Sequence, residues 1–370
     1  MTSPSVERLR VKGWRSYAAA EVRLGPGLTV VHGPNGAGKT NLLEALYFGL
    51  TGRSCRTGNE REVVAFGAQA ARVEVDTRDR DGGHELAVGF QPGEAKRFRV
   101  DGAPVERLTD VAARPLVSVF LPDRLELVKG PPALRRAHVD QVVAALWPAR
   151  VATRRAYSQA LAQRNALLAR VRRGMASRSS LGAWDRELAR HGVALRADRS
   201  AAVATLVEPF AAAAADLGLT GPARLEERPR ARAQTAEELA AELGERIDAD
   251  LERGFTGHGP HRDDLVLLRD DRELRAYGSQ GEQRLALLAL LLAEREALAA
   301  ARGGPPLLLL DDVMSELDAS RRELLLERVT AGGQALVTTT DLAHVPGAAG
   351  GGVTRVAVRE GTVLQEAAAA

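Results

Sequence analysis

The chain has 370 residues, of which 45% are hydrophobic and 27% charged, a composition typical of a globular protein with one large or two smaller domains. The single cysteine, Cys55, excludes a disulfide bond within the chain and a metal site built from several cysteines. The formal charge is only +3, which permits nucleic-acid binding without requiring it. There is no signal-peptide pattern, and the longest apolar stretch, 285–293, is too short to cross a membrane, so we expect a soluble cytoplasmic protein with no membrane contact.

Residues 6–120 have the pattern of short strands and one helix around a glycine-rich loop. The stretch 28–32 is a predicted strand that runs directly into this loop. Residues 40–50 are predicted as a helix, because their leucines recur with a period of about 3.6 residues. The other predicted strands cover residues 6–11, 21–24, 71–77, 84–89, 97–100 and 114–120.

The pattern changes after Pro131, where Ala, Leu, Arg and Glu at helical spacing continue to residue 252. No heptad repeat persists, so we expect a compact helical lobe rather than a long coiled coil. The sequence therefore predicts an α/β domain built from residues 1–130 and 253–370, with the lobe 131–252 inserted between them. The elements predicted after the lobe are a strand at 264–268, a helix at 280–302, a strand at 307–311, a helix at 318–329 and a strand at 334–338.

Residues 33–40, Gly-Pro-Asn-Gly-Ala-Gly-Lys-Thr, fit the Walker A pattern of a phosphate-binding loop. The glycines permit tight curvature, and the loop N–H groups together with the following helix N-terminus favour an anion. We expect Lys39 to reach the β- and γ-phosphates of ATP and Thr40 to ligate Mg²⁺. A glycine-rich turn beside an unrelated lysine is the alternative, and the flanking strand and helix disfavour it. The predicted nucleotide contacts are Gly33, Pro34, Asn35, Gly36, Ala37, Gly38, Lys39, Thr40 and Asn41.

Four leucines at 307–310 lead into Asp311 and Asp312, a pattern typical of a buried strand that ends in the Walker B acids. We expect Asp311 to hold Mg²⁺, commonly through water, and Asp312 to orient or deprotonate the attacking water. A pair of aspartates that caps a loop is the alternative. The P-loop earlier in the chain favours the catalytic interpretation.

The segment Ser279-Gln-Gly281-Glu282 precedes a predicted helix and resembles the signature turn of ABC-type ATPases. In that superfamily the turn contacts the γ-phosphate held by the opposite subunit, so ATP joins two subunits. Ser279 and Glu282 also have the spacing of a capping box, and a plain helix cap is the alternative. The order of P-loop, signature turn and acidic strand favours the ATPase interpretation. The catalytic candidates are therefore Lys39, Ser279, Gly281, Glu282, Asp311 and Asp312.

Segments spread along the chain resemble the RecF family of SMC-like recombination-mediator ATPases of bacteria. They are Leu9–Tyr17, Gly52–Thr57, Leu121–Pro131 followed by Arg135, Arg136 and Asp140, Gly259–Asp264, and Asp311–Asp318. The last three narrow the resemblance from ABC-type ATPases in general to RecF. Three places depart from the family pattern: Arg124 stands where an acid is expected, His138-Val139 replaces a more apolar aromatic pair, and Glu282 replaces the usual Gln.

The resemblance implies an ABC/SMC-type ATPase head, a P-loop fold with a mixed sheet and an antiparallel β subdomain, that carries the inserted α-helical lobe. It also implies a homodimer that assembles on ATP and Mg²⁺ and hydrolyses ATP slowly, with stimulation by DNA. The implied DNA substrates are duplexes, gaps and junctions of double and single strands. The implied partners are RecR and RecO, and indirectly the RecA recombinase, in gap repair and the SOS response, in the nucleoid-associated cytoplasm.

Residues 150–200 contain twelve arginines and only three acidic residues, so we expect a face of the lobe to bind DNA phosphates. A solvated basic surface is the alternative. Tyr157 and Trp184 are the only aromatic residues in this stretch, so the sequence shows no aromatic platform for single-stranded bases. The arginines favour contact with the duplex backbone instead, and we expect the affinity for DNA to fall steeply with salt. The candidate DNA contacts are Arg135, Arg136, Arg154, Arg155, Arg170, Arg172 and Arg173.

The sequence is compatible with two other functions. The ATPase subunit of an ABC transporter would need a membrane partner, and the long basic insert suits DNA better. A non-catalytic ATP-gated clamp would keep the P-loop without hydrolysis, and the intact Asp311-Asp312 pair argues against it.

Overall fold

The computed structural model describes residues 4–108, 111 and 113–365 of the chain. Its contacts divide the chain into two compact units: unit 1 contains Met1–Asp123 and Leu298–Ala370, and unit 2 contains Arg124–Ala297. This division differs from the predicted boundaries at 131 and 252, mainly at the second one. The reason is that a strand after residue 253 pairs with a strand inside the predicted lobe, so both belong to unit 2.

The secondary structure of the described residues alternates between strands and helices in unit 1 and is mostly helical in unit 2. The strands are β1 (Ser5–Trp14), β2 (Tyr17–Arg23), β3 (Leu28–His32), β4 (Ala71–Arg78), β5 (Gly83–Phe90), β6 (Arg97–Val100), β7 (Ala103–Val105), β8 (Val117–Phe120), β9 (Ala223–Arg228), β10 (Asp264–Arg269), β11 (Arg272–Glu273), β12 (Leu307–Leu310), β13 (Ala335–Thr339), β14 (Thr354–Arg359) and β15 (Thr362–Gln365). The α-helices are α1 (Lys39–Thr51), α2 (Glu126–Lys129), α3 (Pro132–Leu146), α4 (Val151–Arg172), α5 (Leu181–Asp216), α6 (Ala236–Glu245), α7 (Ile247–Arg253), α8 (Leu274–Tyr277), α9 (Gln280–Arg302) and α10 (Ala319–Thr330).

One sheet of unit 1 is antiparallel, with the strand order β2-β1-β4-β5-β6-β7. Its long strands alternate between the two faces, as the burial of β4 shows: Ala71, Val73 and Val75 are buried, while the residues between them are not. The apolar side of β4 belongs to the same core as the buried leucines of α1. This packing holds the helix that follows the P-loop.

The second sheet of unit 1 is mainly parallel, with the order β15-β14-β3-β13-β12-β8. The strand before the P-loop, β3, and the strand before Asp311, β12, are separated only by β13. The first four residues of β3 and all four leucines of β12 are buried, as expected for strands covered on both faces. Because parallel strands end at one edge of the sheet, the P-loop and Asp311 come together there, as predicted for an ATPase head.

Unit 2 combines long helices with a small sheet. Helices α4 and α5 pack on each other, and α5 continues through Pro209 over 36 residues. The sheet has the order β11-β10-β9 and is antiparallel. Strand β9 was missed by the prediction of a purely helical lobe, because its six residues form a stable strand only when paired with β10.

None of the helices among the described residues is long and apolar enough to span a bilayer.

Candidate nucleotide-binding site

The P-loop follows β3 in a conformation that its glycines make possible. Gly33 has φ of 152°, and a Cβ atom at this position would lie 2.1 Å from the Val358 carbonyl oxygen of β14. A side chain there would therefore push the loop away from the neighbouring strand. The Tyr17 hydroxyl donates to the Gly38 carbonyl at 3.0 Å and fixes the end of the loop from the β1–β2 hairpin. Pro34, Asn35 and Gly36 form the crest of the loop.

Lys39 is the buried cation of the loop. Its Nζ atom donates to the carbonyl oxygens of Gly33 at 2.8 Å and Pro34 at 3.0 Å, so the ammonium lies under the loop crest. Burial lowers the pKa of Lys39, and the charges of Asp312 and Asp311 oppose this shift. Main-chain carbonyls compensate a buried ammonium less well than an anion does, so the loop is electrostatically prepared for phosphate.

Asp311, at the end of β12, is held by two hydroxyl groups. Thr40 Oγ1 lies 2.9 Å from both carboxylate oxygens of Asp311, and Thr338 Oγ1 donates to Oδ1 at 2.7 Å. Burial raises the pKa of Asp311, and the hydrogen bonds from Thr338 and Thr40 act in the opposite direction. Since Thr40 and Asp311 come from different elements and meet at one point, they fit a hard divalent cation such as Mg²⁺, which binds oxygen ligands.

Asp312 occupies a strained position directly after this carboxylate. Its φ is 48°, which is uncommon for a residue with a side chain, and its N–H donates to Thr338 Oγ1 at 3.0 Å. Its Oδ1 atom is buried, and no described residue donates a hydrogen bond to it. A buried acceptor without a partner is unusual in a folded protein and is consistent with a group that receives a proton or holds a water molecule during a reaction.

A cluster of charged residues beside the P-loop was not assigned a role from the sequence. Glu44 of α1 is fully buried and accepts from Arg15 Nε at 2.9 Å and Nη2 at 2.8 Å. Arg56 Nη1 donates to Asn41 Oδ1 at 3.0 Å, and the positive charge of Arg56 opposes the rise that burial causes in the pKa of Asp311. The segment Gly52–Thr57 is part of the resemblance to RecF, but only the fold shows that the charge of Arg56 affects the pKa of Asp311.

The turn Ser279–Glu282 lies in unit 2 and has the geometry of a capping box. Glu282 Oε2 accepts from the Ser279 N–H at 2.7 Å, and Ser279 Oγ accepts from the Glu282 N–H at 3.3 Å. Arg269 of β10 donates to the second oxygen of Glu282. The capping interpretation is therefore correct as a description of local structure. In this capping geometry the side of the turn at Gly281 is open, because a Cβ atom added to Gly281 would meet no described atom within 4 Å.

The chain matches a family model described as RecF/RecN/SMC N terminal domain over residues 5–357. It is 38% identical to the DNA replication and repair protein RecF of Streptomyces avermitilis, with 97% of this chain and 99% of the relative covered. The chain belongs to the RecF family. The RecF of Myxococcus xanthus is 40% identical, and 92% of each chain is covered.

Solved structures agree with membership of the RecF family. The recombination mediator protein RecF-ATPrS in the RecFOR pathway has a TM-score of 0.87, 26% identity and 99% coverage of both chains. The Smc head domain of Pyrococcus furiosus has a TM-score of 0.58 at 19% identity, which shows a shared fold alone. The RecF-type head with its SMC-like ATPase fold is thus confirmed.

The candidate DNA-binding arginines of this RecF-family chain are not equally accessible. Arg135 is 3% exposed and donates through Nε and Nη2 to Asp264 at 2.8 and 2.9 Å, so a DNA contact by Arg135 is not compatible with the structure. Arg136 is partly buried and donates to the Asp263 carbonyl at 2.8 Å. Arg154 is exposed but lies 3.2 Å from Asp140. The fully surface-exposed candidates are Arg155, Arg170, Arg172 and Arg173.

Proposed function

We propose that this chain is an ATP-dependent, DNA-binding recombination mediator of the RecF type that uses ATP as an assembly switch. The observation that carries the proposal is the convergence of Lys39, Thr40, Asp311 and Asp312 at one edge of the parallel sheet. The similar structures described as RecF-ATP and RecF-ATPrS support ATP as the nucleotide.

The residues of the candidate site have different roles toward the nucleotide. The P-loop N–H groups and Lys39 bind the phosphates, because they supply donors and a positive charge where the β- and γ-phosphates belong. Thr40 and Asp311 would hold Mg²⁺, which would neutralise charge on the phosphate oxygens. Asp312 orients the attacking water and accepts its proton through the oxygen that lacks a donor among the described residues.

A second copy of the chain completes the site. Ser279 and Gly281 stand at the start of α9 with one side of the turn open, where N–H groups and the helix dipole favour an anion. We propose that this turn contacts the γ-phosphate held by the partner copy. ATP binding then assembles the dimer, and slow hydrolysis at Asp312 releases it.

The dimer binds duplex and gapped DNA through exposed arginines of unit 2, with weak sequence preference. Relatives named DNA replication and repair protein RecF, and structures assigned to the RecFOR pathway, support a role with RecO and RecR in loading RecA at gaps. With such a role, we expect the protein at the nucleoid in the cytoplasm. Membership of the RecF family over nearly the whole chain removes the support for a transporter subunit.

Light scattering and phosphate release, measured together with and without ATP and gapped duplex DNA, test the switch. The wild type should dimerise on ATP and hydrolyse it faster with DNA. Lys39→Met should abolish nucleotide binding, whereas Ser279→Arg should bind ATP and stay monomeric. A wild-type chain that remains monomeric at saturating ATP contradicts the switch, and a dimer without phosphate release identifies a non-catalytic clamp instead.

A further inference from the structure

Phe255 is an exposed aromatic residue on unit 2 that no sequence motif includes. It lies between α7 and the short turn Pro260–Arg262, and its side chain is 42% exposed. Other large apolar residues of unit 2, such as Met175 and Tyr277, are also exposed, so it is the contact with an arginine that distinguishes Phe255.

The backbone on both sides of Phe255 is firmly held. Thr256 is 1% exposed, its N–H and hydroxyl both donate to Asn165 Oδ1 at 2.8 and 2.7 Å, and its hydroxyl accepts from the buried Arg164 at 2.7 Å. Gly254 ends α7 in the left-handed conformation at φ of 82°. The ring is therefore presented on a fixed loop rather than on a mobile one, which lowers the entropic cost of binding a ligand.

Two arginines lie near Phe255 or the residue before it. The Arg262 guanidinium lies 5.1 Å from the centre of the Phe255 ring in a cation–π contact. Arg172 Nη1 lies 2.9 Å from the position that a Cβ atom would take on Gly254, so the end of α4 reaches the same loop. Within the described part of the chain no carboxylate forms an ion pair with Arg172, Arg173, Arg253 or Arg262. Positively charged side chains without an ion-pair partner favour a ligand with phosphates.

We propose that Phe255, Arg262 and Arg172, together called the Phe255 platform, bind unpaired nucleobases of single-stranded DNA. A base stacks on the part of the ring that Arg262 leaves open, and Arg172 contacts the adjoining backbone phosphate. Aromatic rings stack on any base, and arginine adds cation–π and phosphate contacts, so this combination is the usual solution for sequence-tolerant single-strand binding. The inference rests on the proposed DNA binding and adds to it a site for the unpaired strand of a gap.

The proposed platform differs from the expectation that the chain has no aromatic platform. That expectation considered only residues 150–200, in which Tyr157 is buried. Phe255 belongs to a loop that hydrogen bonds from Thr256 hold against α4, and the neighbouring Gly254 lies close to Arg172 of that helix.

Binding of full-length protein to three fluorescently labelled DNAs tests the platform: a blunt duplex, a gapped duplex and a single strand. Phe255→Ala should weaken binding to the single strand and the gap by roughly 5-fold to 150-fold, the range for loss of one base–aromatic stack, and leave blunt duplex binding unchanged. Phe255→Trp should restore or exceed wild-type binding. Phe66→Ala is the matched control, because Phe66 is a fully exposed phenylalanine in unit 1.

A single strand containing 2-aminopurine gives an independent reading, because stacking quenches the fluorescence of this base. Quenching by the wild type that is lost in Phe255→Ala supports the platform. Equal losses on duplex and single strand, or no loss, overturn the platform while the DNA-binding function stands. A wild-type protein that binds none of the DNAs overturns the proposed DNA binding and the platform with it. A circular dichroism melt of each variant separates these outcomes from misfolding.

Discussion

In unit 1 the buried ammonium of Lys39 donates to main-chain carbonyls, whereas in unit 2 the buried guanidinium of Arg164 is held by two carboxylates. Arg164 Nε lies 2.7 Å from Asp185, and Nη1 lies 2.7 Å from Asp250. Asp312 in unit 1 likewise keeps one buried oxygen without a hydrogen-bond donor among the described residues. Arg164 also keeps one buried atom, Nη2, without a hydrogen-bond partner among the described residues, but its charge faces two carboxylates. The ammonium of Lys39 is hydrogen-bonded only to neutral carbonyls, so an anionic ligand can still compensate its charge.

We interpret this difference as one between charges that bind a ligand, such as that of Lys39, and charges that stabilise the fold, such as that of Arg164. A buried charge that already has its partners resists removal, because deleting one partner leaves the other uncompensated in a medium of low polarity. A buried charge that is held only by neutral groups costs stability in the free protein but is ready to bind an opposite charge. Substitutions in unit 1 should therefore change turnover more than stability, and substitutions in the buried network of unit 2 should do the reverse.

The largest expected effect is on turnover at Asp312. Asp312→Asn removes the proton acceptor but keeps the shape of the side chain, so kcat should fall by about 10²- to 10⁴-fold while ATP still binds. Phosphate release and nucleotide titration check this, with Asp79→Asn, in a turn of the antiparallel sheet, as the control. Turnover within a few-fold of the wild type would show that Asp312 is not the base.

Removing Arg164 should cause the largest loss of stability. Arg164→Ala leaves Asp185 and Asp250 buried without their partner and should cost about 3–5 kcal/mol in the free energy of unfolding. Arg170→Ala on the exposed side of the same helix should change stability by less than about 0.5 kcal/mol. Urea denaturation followed by circular dichroism measures both, and similar values for the two variants would contradict the division between structural and surface arginines.

Thr338 tests the hydrogen bonds that orient the acidic pair. Its hydroxyl donates to Asp311 and accepts from the Asp312 N–H, so Thr338→Val should lower kcat roughly 10- to 100-fold, from a loss of about 1.5–3 kcal/mol for a hydrogen bond to a charged group. Thr338→Ser should restore most of it. Thr339→Val is the matched control, since its hydroxyl donates to the Asp341 carbonyl instead. A Val variant with altered KM and unchanged kcat would assign Thr338 to binding.

His261 should make unit 2 sensitive to mild acid, with the smallest effect of the four. Burial lowers the pKa of His261 from 6.5 to about 4; its Nδ1 lies 2.6 Å from the Tyr157 hydroxyl, and its Nε2 donates to the Thr256 carbonyl. Because the unfolded chain takes up this proton first as pH falls, stability should be full above about pH 6.5 and decline toward about pH 4.

Between about pH 7 and about pH 5.5 this linkage amounts to about 1 kcal/mol. Urea denaturation across this range should show the decline in the wild type, and His261→Gln should flatten it. His191→Gln is the control, because His191 is only partly buried on α5. A decline that persists unchanged in His261→Gln would assign the pH dependence to other groups.

Much of unit 1 could be predicted because its signals are local. The P-loop, its flanking strand and helix, and the strand ending in Asp311 each lie within a short stretch of sequence. Apolar runs at β3 and β12 predict buried parallel strands, and these have one shared edge at which their loops meet. The order of motifs was therefore enough to locate the acids and the lysine of the site.

The sequence by itself determined the family and the ATPase head and predicted the residues of the nucleotide site, because glycine conformation, strand burial and motif spacing depend on near neighbours. Only the tertiary structure decided which arginines of unit 2 are buried: Arg135, Arg164 and Arg170 look alike in sequence, yet only Arg170 is exposed. Burial of a charge depends on carboxylates far away in the chain, and the contact between the loop of Phe255 and α4 also joins residues that are distant in sequence. Long-range packing, which produces no periodic pattern in the sequence, determined which charges lie on the surface that we propose to bind DNA.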